Sequence, residues 1–324
     1  MISVAMRTYN EDQLLPKALA SAVRLTDDIV IVDNLSTDRT REVAKEFGAR
    51  VITSWDRSNN SHGRNLAAEN AKNDWIVVLD ADEVIEQPEE LREYMLNQAL
   101  SPSIITVSIT HPRSGFSFRV PRIYLRTFYH YRFRGHEGLY SKKDYSLPTS
   151  NSPYSFLHFQ PPGRWPGKLD LAEAKLFLDV AENPGHARPL YYLARQYYYQ
   201  GVQTKEKLYY RKAVETFSKY FSCSKGRCDD ADAFWYKGTC LEELGKSFDA
   251  IVSFASAVAT APRRREFWVS FAKMLRKHGY AQEACDIIET IKTFQEPSNT
   301  YYHAQWYKEE SLNKLIKEFQ SDNS

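Results

Sequence analysis

The first hundred residues alternate strand-like and helix-like segments, and this alternation constrains the fold more than any other feature of the chain. Four short apolar runs have the length and composition of buried strands: residues 2–6, 28–32, 51–54 and 75–79. Three amphipathic segments between them predict helices: residues 11–25, 38–47 and 62–72. Strands joined by helices in this way form a parallel sheet with right-handed crossovers. We therefore expect an α/β domain with a mainly parallel sheet at the N-terminus.

The first domain continues beyond the fourth strand and stops at a proline-rich stretch. A short helix is predicted at residues 89–98 and a strand at 104–109, and a β-like run of aromatic residues and arginine follows at 116–140. Residues 160–167 contain prolines and glycines that continue neither a strand nor a helix. This stretch predicts a boundary between one domain at residues 1–165 and a second domain at residues 166–324.

The second domain repeats with a period of 34 residues. Six positions match at this spacing: Phe234 with Trp268, Gly238 with Ala272, Leu241 with Leu275, Gly245 with Gly279, Ala250 with Ala284, and Phe254 with Ile288. Small residues let two helices pack closely and a glycine forms the turn, which is the signature of tetratricopeptide repeats. A looser copy covers residues 190–217, and residues 301–319 are expected to form a capping helix. The prediction is an all-α, tetratricopeptide-like domain.

Composition and charge indicate an ordinary globular protein. Hydrophobic residues make up 43% of the 324 residues and charged residues 26%, and the formal net charge of +2 gives no overall attraction for nucleic acid or a membrane. The apolar runs are only strand-length and the chain opens directly as a strand, so we expect neither a transmembrane segment nor a signal peptide. All four cysteines lie in the second half, and we interpret them as free thiols of a cytoplasmic protein: Cys223, Cys228, Cys240 and Cys285.

The fourth strand ends abruptly in two carboxylates, Asp80 and Asp82. Side chains two residues apart on an extended chain point to the same side, so both carboxylates can face one site. Sheets of this class bind ligands at the carboxyl ends of their strands, where two carboxylates suit Mg²⁺ or Mn²⁺ beside a diphosphate. A second Asp-x-Asp, Asp230 with Asp232, precedes a helical pattern, and we interpret it as a solvated loop or a helix start.

Polar motifs also mark the other strand ends. They read Met6-Arg-Thr-Tyr-Asn-Glu-Asp12, Asp33-Asn-Leu-Ser-Thr-Asp38 and His62-Gly-Arg-Asn65. Together with residues 79–83, these motifs resemble the nucleotide-binding half of family-two glycosyltransferases, which have the A-type glycosyltransferase fold. The resemblance is strong over the first hundred residues and fades through residue 165.

The resemblance implies that the first two motifs bind the nucleoside. Thr8, Tyr9 and Glu11 would support it, and Asp33 would accept a hydrogen bond from the base. The usual family pattern is Asp-Asp-Gly-Ser-Thr-Asp, whereas this chain has Asn and Leu at residues 34–35. Uridine is the expected base, and this departure makes the identity of the base less certain.

The resemblance also assigns the diphosphate and metal contacts. Arg64 would lie near the base and the diphosphate, Asp80 would touch the ribose or the metal, and Asp82 would be the firmer metal ligand. His158 follows a strand, where the family often completes its metal shell with a histidine. An imidazole ligand suits Mn²⁺ better than Mg²⁺.

A Gly-His-Glu stretch at residues 135–137 resembles one found in glycosyltransferases that carry tetratricopeptide tails. An inverting transfer needs a base that deprotonates the acceptor. Glu137 is our candidate for this base, with a salt bridge to Arg132 or Arg134 as the alternative interpretation. His136 is a candidate contact to the diphosphate or the metal.

The sequence thus predicts a metal-dependent glycosyltransferase that uses a nucleotide-sugar, a UDP-sugar first of all, with inversion implied by the resemblance alone. The helical repeats would present the acceptor or mediate self-association into a homo-oligomer. The acceptor could be a peptide or protein, a glycan or, as a weaker alternative suggested by the aromatic and arginine-rich residues 124–134, a nucleic acid.

Two rival functions come from other classes. A nucleotidyltransferase would need a glycine-rich loop after the first strand, and residues 7–11 contain no glycine. A non-catalytic adaptor, in which the repeats act and the sheet is a relic, would be expected to lose the metal carboxylates, and they are present.

Overall fold

A computed structural model describes residues 1–113, 117–143, 148–159, 169–227, 229–295 and 308–321 of the chain. The chain divides into two compact units, Met1–Gly167 and Lys168–Ser324. The proline-rich stretch at residues 160–167 and Cys228 lie outside the described residues.

The first unit alternates strands and helices through its first half and is mostly β beyond it. Its elements are β1 (Ile2–Thr8), α1 (Leu15–Leu25), β2 (Ile29–Asp33), α2 (Thr40–Glu46), β3 (Arg50–Thr53), α3 (Asn60–Glu69), β4 (Trp75–Val78), β5 (Glu83–Ile85), α4 (Pro88–Leu96), β6 (Ile104–Thr110), β7 (Ser117–Leu125), β8 (Tyr129–Arg132), β9 (Gly138–Ser141) and β10 (Thr149–His158). The α/β class and the four parallel N-terminal strands are confirmed.

Eight of these strands form one sheet in the order β3-β2-β1-β4-β7-β6-β10-β5, and β8 pairs with β9 in a separate ribbon. Strands β1 to β4 pair with one another in parallel, while β7 is antiparallel to both β4 and β6. Strand β10 runs parallel to β6 and antiparallel to β5. The sheet is therefore mixed beyond β4. The candidate ligand motifs follow the carboxyl ends of its parallel strands.

Both faces of the parallel strands are buried, which explains their continuous apolar runs. Val4 and Met6 of β1 join a core with helices α1 and α4, whereas Ala5 packs on the opposite face with residues of helix α3. Tyr124, Tyr129 and Tyr131 belong to this second core and are almost completely buried. Because these rings fill the core, they are not available to stack on nucleic-acid bases.

The second unit consists of helices within the described residues. They are α5 (Leu169–Glu182), α6 (Ala187–Thr204), α7 (Lys207–Phe221), α8 (Asp230–Glu243), α9 (Ser247–Thr260), α10 (Arg265–Lys277), α11 (Ala281–Ile291) and α12 (Glu309–Ser321). Gly245 and Gly279 have φ angles of 76° and 92° between the helices of two successive pairs, where a side chain would be strained. Leu312 and Leu315 of α12 join the core of the last pair. The all-α, tetratricopeptide-like class is confirmed for the described residues. The capping helix predicted at residues 301–319 falls partly outside them, since residues 301–307 are not described and α12 begins at Glu309, and its capping role stays a prediction.

Two polar clusters of this unit include buried side chains. Asp230 and Asp232 begin helix α8, as one of the two interpretations had it, but Asp230 is buried and Asp232 pairs with Arg264 at 2.8 Å. Residues 263–265 are consecutive arginines, of which Arg265 is buried and donates to the carbonyl of Lys292. Basic side chains can thus close the helix ends of a repeat array.

Three cysteines of the described residues are free: Cys223, Cys240 and Cys285. Among the helices that the structure describes, none combines the length and the apolarity needed to cross a membrane.

Gly238→Ala is expected to destabilise the repeat unit. A Cβ atom at Gly238 would lie 2.9 Å from ring atoms of Phe254, which is buried and cannot withdraw. Overpacking of this kind costs about 1–3 kcal/mol, which exceeds the gain of at most about 1 kcal/mol in helix propensity. Urea denaturation would measure the difference in the free energy of unfolding. In a Phe254→Leu background the same substitution should cost less, and an equal cost in both backgrounds would contradict the packing argument.

Candidate active site

The carboxyl ends of the parallel strands bring the sequence motifs together. Thr8 at the end of β1 is in register with Asp33 at the end of β2, and Asp80 follows β4 on the other side of β1. Such an edge, where the strand order changes direction, is the usual ligand site of an α/β sheet.

Asp33 holds the first two turns together. Its carboxylate accepts hydrogen bonds from the hydroxyl of Thr8 at 3.2 Å and from the amide of Ser36 at 2.9 Å, and its side chain is completely buried. Leu35 has a φ angle of 60° and lies in the left-handed region, which explains why glycine is the usual residue there. In this structure Asp33 shapes the turns, and its contact with a base stays a prediction.

Tyr9 and Glu11 lie on the loop that follows β1. The guanidinium carbon of Arg57 stacks 3.3 Å from the centroid of the Tyr9 ring. The amide of Glu11 donates to the hydroxyl of Thr40 at 2.7 Å, which fixes the loop against the start of α2. The loop therefore presents an aromatic ring and a cation side by side at the edge of the sheet.

Arg64 and Arg122 form the centre of the site with three carboxylates. Arg64 lies 2.9 Å from one oxygen of Asp80 and 2.7 Å from Glu137, and Arg122 lies 2.7 Å from the other oxygen of Asp80. Arg122 also pairs with the buried Glu83. Both oxygens of Asp80 are thus held by arginines, and these charges hold its pKa well below the ordinary value despite burial.

Three guanidinium groups of the site carry nitrogen atoms that are buried without a hydrogen-bond partner: Nε of Arg7, Nη1 of Arg64 and Nε of Arg122. Arg7 lies beside Gly63 of helix α3, where a Cβ atom would come within 2.6 Å of its side chain. Burial, together with the charge of Arg64, lowers the pKa of Arg7. A buried charged donor without an acceptor costs free energy, so an anion that accepts hydrogen bonds from these nitrogens would stabilise the site.

Asp82 contacts a histidine, whereas Asp80 is paired with two arginines. The strand ends at Val78, and the amide of Glu83 donates to the carbonyl of Asp80 at 3.0 Å, so residues 80–83 form a turn. The expectation that the two carboxylates share one side of an extended strand is therefore wrong. Asp82 instead lies 3.4 Å from Nε2 of His158 at the end of β10.

The Asp82–His158 pair fits one edge of a metal site. It offers one carboxylate oxygen and one imidazole nitrogen, a donor set that suits Mn²⁺. The ring of His111 lies 4.7 Å from that of His158, but within the described ranges no three such side chains are grouped closely enough to hold an ion. The residues fit a metal that takes its other ligands from elsewhere, such as a diphosphate or water.

Glu137 and His136 lie on the loop between β8 and β9. Glu137 accepts from Arg64 and, at 3.0 Å, from the amide group of Asn60 on helix α3. Glu137 thus forms a salt bridge with Arg64, a partner that was not considered from sequence. His136 is exposed, with a φ angle of 52°. The roles of both residues in catalysis and diphosphate binding stay predictions.

The ion pair of Glu137 predicts acid sensitivity. Burial raises its pKa, but the charge of Arg64 outweighs burial and lowers the pKa to about 2 from an ordinary value of 4.5. A lowered carboxyl pKa stabilises the fold above pH 4.5, by about 3 kcal/mol here, and this contribution is lost as the pH falls toward 2. The difference in unfolding free energy between the wild type and Glu137→Gln should shrink as the pH falls from 5 to about 3. A difference that does not change over this interval would contradict the assignment.

Sequence reasoning missed Arg7, Glu83 and Arg122 as site residues. Arg122 reaches Asp80 because β7 pairs antiparallel with β4, with Ile123 opposite Val77, and no local pattern reveals such a register. Arg7 had a signal, since it lies inside the motif that follows β1 and faces the glycine of the motif that opens α3.

Two solved structures are similar to this chain at low sequence identity. S. aureus TarS, residues 1–349 in complex with UDP, is 14% identical with a TM-score of 0.45, and the match covers 80% of this chain and 90% of that chain. A thermophilic TPR protein of Thermus thermophilus is 17% identical with a TM-score of 0.37, over 47% of this chain and 73% of that chain.

Several curated proteins match short parts of the sequence. A TPR repeat-containing protein of Synechococcus elongatus is 40% identical over 97 residues, which are 29% of this chain and 24% of that protein. An uncharacterized glycosyltransferase of Rickettsia typhi is 37% identical over 87 residues, 26% of this chain and 29% of that protein. The chain thus spans less than a third of the length of each relative. The family model of Glycosyl transferase family 2 matches residues 3–159, from β1 to β10.

Proposed function

We propose that this chain transfers a sugar from a UDP-sugar to an acceptor with the help of a divalent metal ion, a proposal supported by the match of residues 3–159 to the family model of Glycosyl transferase family 2. The observation that carries the proposal is the group of Arg7, Arg64 and Arg122 at the carboxyl end of the sheet, each of which has one buried guanidinium nitrogen without a hydrogen-bond partner among the described residues. Charged N–H donors of this kind bind the oxygen atoms of a diphosphate, and a bound metal ion would supply the further positive charge, since Asp80, Glu83 and Glu137 already pair with Arg64 and Arg122.

In this proposal the loop after β1 binds the nucleoside. Thr8 and Asp33 fix the turn, and the stacked pair of Tyr9 and Arg57 supplies a flat surface and a positive charge. Glu11 lies on the same loop and would contact the ribose or the base. These contacts would position the donor with its diphosphate toward Arg64.

Asp82 and His158 would hold the metal ion, and Mn²⁺ suits this donor set better than Mg²⁺. When bound, the ion supplies positive charge that offsets the developing negative charge of the leaving diphosphate. Arg64 and the exposed His136 would add donors on the protein side. Asp80 orients Arg64 and Arg122 through its two ion pairs. A ribose would contact the exposed part of the Asp80 side chain.

Glu137 is the proposed base of an inverting transfer. While it is paired with Arg64 its low pKa makes it a weak base. A diphosphate that attracts Arg64 would weaken this pair, and the pKa of Glu137 would then rise toward its ordinary value. Donor binding would thereby prepare the carboxylate to accept the proton of an acceptor hydroxyl or amide.

The helical repeats would present the acceptor, a peptide, protein or glycan, or would join copies of the chain into a homo-oligomer.

Titration calorimetry with UDP, GDP and dTDP, each with Mn²⁺ and with a chelator, tests the donor assignment. We expect UDP to bind in the presence of Mn²⁺ and not with the chelator, and we expect GDP and dTDP not to bind. Binding of none of these nucleotides would contradict the proposal and favour an adaptor function for the repeats.

A further inference from the structure

An arginine on helix α6 is enclosed by aromatic rings and has no carboxylate partner among the residues that the structure describes. The guanidinium carbon of Arg195 lies 5.7, 4.8 and 5.9 Å from the ring centroids of Tyr191, Tyr192 and Tyr199. Within the described part of the chain, this side chain makes no hydrogen bond or ion pair. Its nitrogens are not among the buried atoms that lack partners, so they remain open to an incoming acceptor.

Other enclosed arginines of the same unit have acceptors. Arg264 pairs with Asp232 at 2.8 Å and with a glutamate, Arg227 pairs with Asp229 at 3.3 Å, and Arg265 donates to a backbone carbonyl. Arg195 differs from them because its charge is balanced only by the faces of tyrosine rings. A ring face stabilises a cation by about 0.5–2 kcal/mol, and it satisfies none of the planar N–H donors of the guanidinium.

Further side chains extend this surface. Arg188 lies one to two turns before Arg195 on α6, with its guanidinium carbon 5.0 Å from the centroid of Tyr192. The hydroxyl of Tyr199 lies 3.2 Å from that of Tyr236 on helix α8, and Tyr199 is 44% exposed. We call these residues the Arg195 patch: Arg188, Tyr191, Tyr192, Arg195, Tyr199 and Tyr236. The patch combines unused donors of a guanidinium with hydroxyl groups and partly exposed rings.

We propose that the Arg195 patch binds the carboxylate side chain of an acidic peptide segment. A carboxylate accepts two parallel hydrogen bonds from one guanidinium, which are the bonds that the tyrosine rings leave unmade. The rings around it offer apolar surface to the neighbouring peptide side chains. The first helices of successive repeat pairs, α6 and α8 here, provide an extended surface that suits an extended chain.

The charges around the patch favour a peptide over a nucleic acid. A polyanion binds by neutralising many phosphates, and the patch contains two cations. A single carboxylate needs one guanidinium, which Arg195 supplies. Peptide binding at the patch is separate from the transfer reaction proposed above and does not rest on it.

Fluorescence anisotropy with the whole chain tests the proposal, without donor or metal. The probe is a short fluorescein-labelled peptide that alternates Glu and Phe, compared with the same peptide carrying Gln for Glu. The Glu peptide should bind at least about tenfold more tightly than the Gln peptide, because the amide cannot replace the charged pair. Equal affinities would overturn the proposal.

Arg195→Met keeps an unbranched apolar stem and removes the guanidinium with its charge, so we expect at least about a tenfold loss of affinity for the Glu peptide. The matched control is Arg211→Met, which removes the same charge from an exposed position on α7 and should bind as the wild type does. Circular dichroism checks folding, and if Arg195→Met does not fold, Arg195→Lys should still bind more weakly because an ammonium lacks the planar fork. Wild-type affinity in the Arg195 variant would refute the assignment.

A competition experiment separates a peptide from a glycan. Displacement of the probe by an oligogalacturonate at a lower concentration than by unlabelled peptide would reassign the patch to an acidic glycan.

Discussion

Arg64→Met is expected to lower the free energy of unfolding by about 3–5 kcal/mol and to abolish detectable nucleotide binding. Arg64 pairs with both Asp80 and Glu137, and its removal leaves Glu137 buried without its counter-charge. An unpaired carboxylate in this position costs more than the lost attraction, because its hydration is not restored. Guanidinium chloride denaturation measures the stability, and calorimetry with UDP measures the binding.

Two further variants make the Arg64 result specific. The double variant with Glu137→Gln should recover part of the lost stability, since the uncompensated charge is then removed. Arg24→Met is the matched control, because Arg24 forms an ion pair with Glu89 in which both side chains are more than half exposed. Such a pair contributes at most about 1 kcal/mol. Equal losses in Arg64→Met and Arg24→Met would show that the site does not depend on a buried network.

Asp82→Asn is expected to weaken Mn²⁺ binding by more than about tenfold while the fold remains intact. The substitution keeps the size of the side chain and removes the anionic oxygen that lies 3.4 Å from His158. The affinity can be followed by the loss of the free Mn²⁺ signal in electron paramagnetic resonance, which needs neither donor nor acceptor.

The second Asp-x-Asp supplies the control for this experiment. Asp232→Asn makes the same chemical change in the repeat unit, where Asp232 pairs with Arg264, and it should leave Mn²⁺ binding unchanged. If Asp82→Asn binds Mn²⁺ as tightly as the wild type does, the metal is not held by Asp82. A loss in both variants would indicate a general effect of charge rather than a site.

The order of apolar runs and polar motifs along the sequence predicts where several residues of the site lie. A parallel strand must end where its apolar run ends, so the sequence alone places Thr8, Asp33 and Asp80 at one edge of the sheet. Arg64 can be added because it opens the helix that faces this edge. The 34-residue spacing likewise predicts helix pairs, since Gly238 and Phe254 must meet where two helices cross.

Features that depend on register or on a turn could not be predicted. The ion pair of Arg122 with Asp80 requires the antiparallel pairing of β7 with β4, in a chain segment that reads only as aromatic and basic. The turn that carries Asp80 and Asp82 is closed by a hydrogen bond from Glu83 to Asp80, which a strand-like sequence does not reveal. The ring cluster around Arg195 combines residues of two helices, so the tyrosine count alone gave no indication of it.

The most direct test of the proposed transfer is slow hydrolysis of a panel of nucleotide-sugars. Wild type and Asp82→Asn would each be incubated with UDP-, GDP- and dTDP-sugars, with Mn²⁺ and with a chelator, and the released nucleotide would be quantified. We expect Mn²⁺-dependent release of UDP by the wild type, with little release by the variant or in the chelator. Release that is the same with Mn²⁺ and chelator, or the same in both proteins, would contradict a metal-dependent site at Asp82.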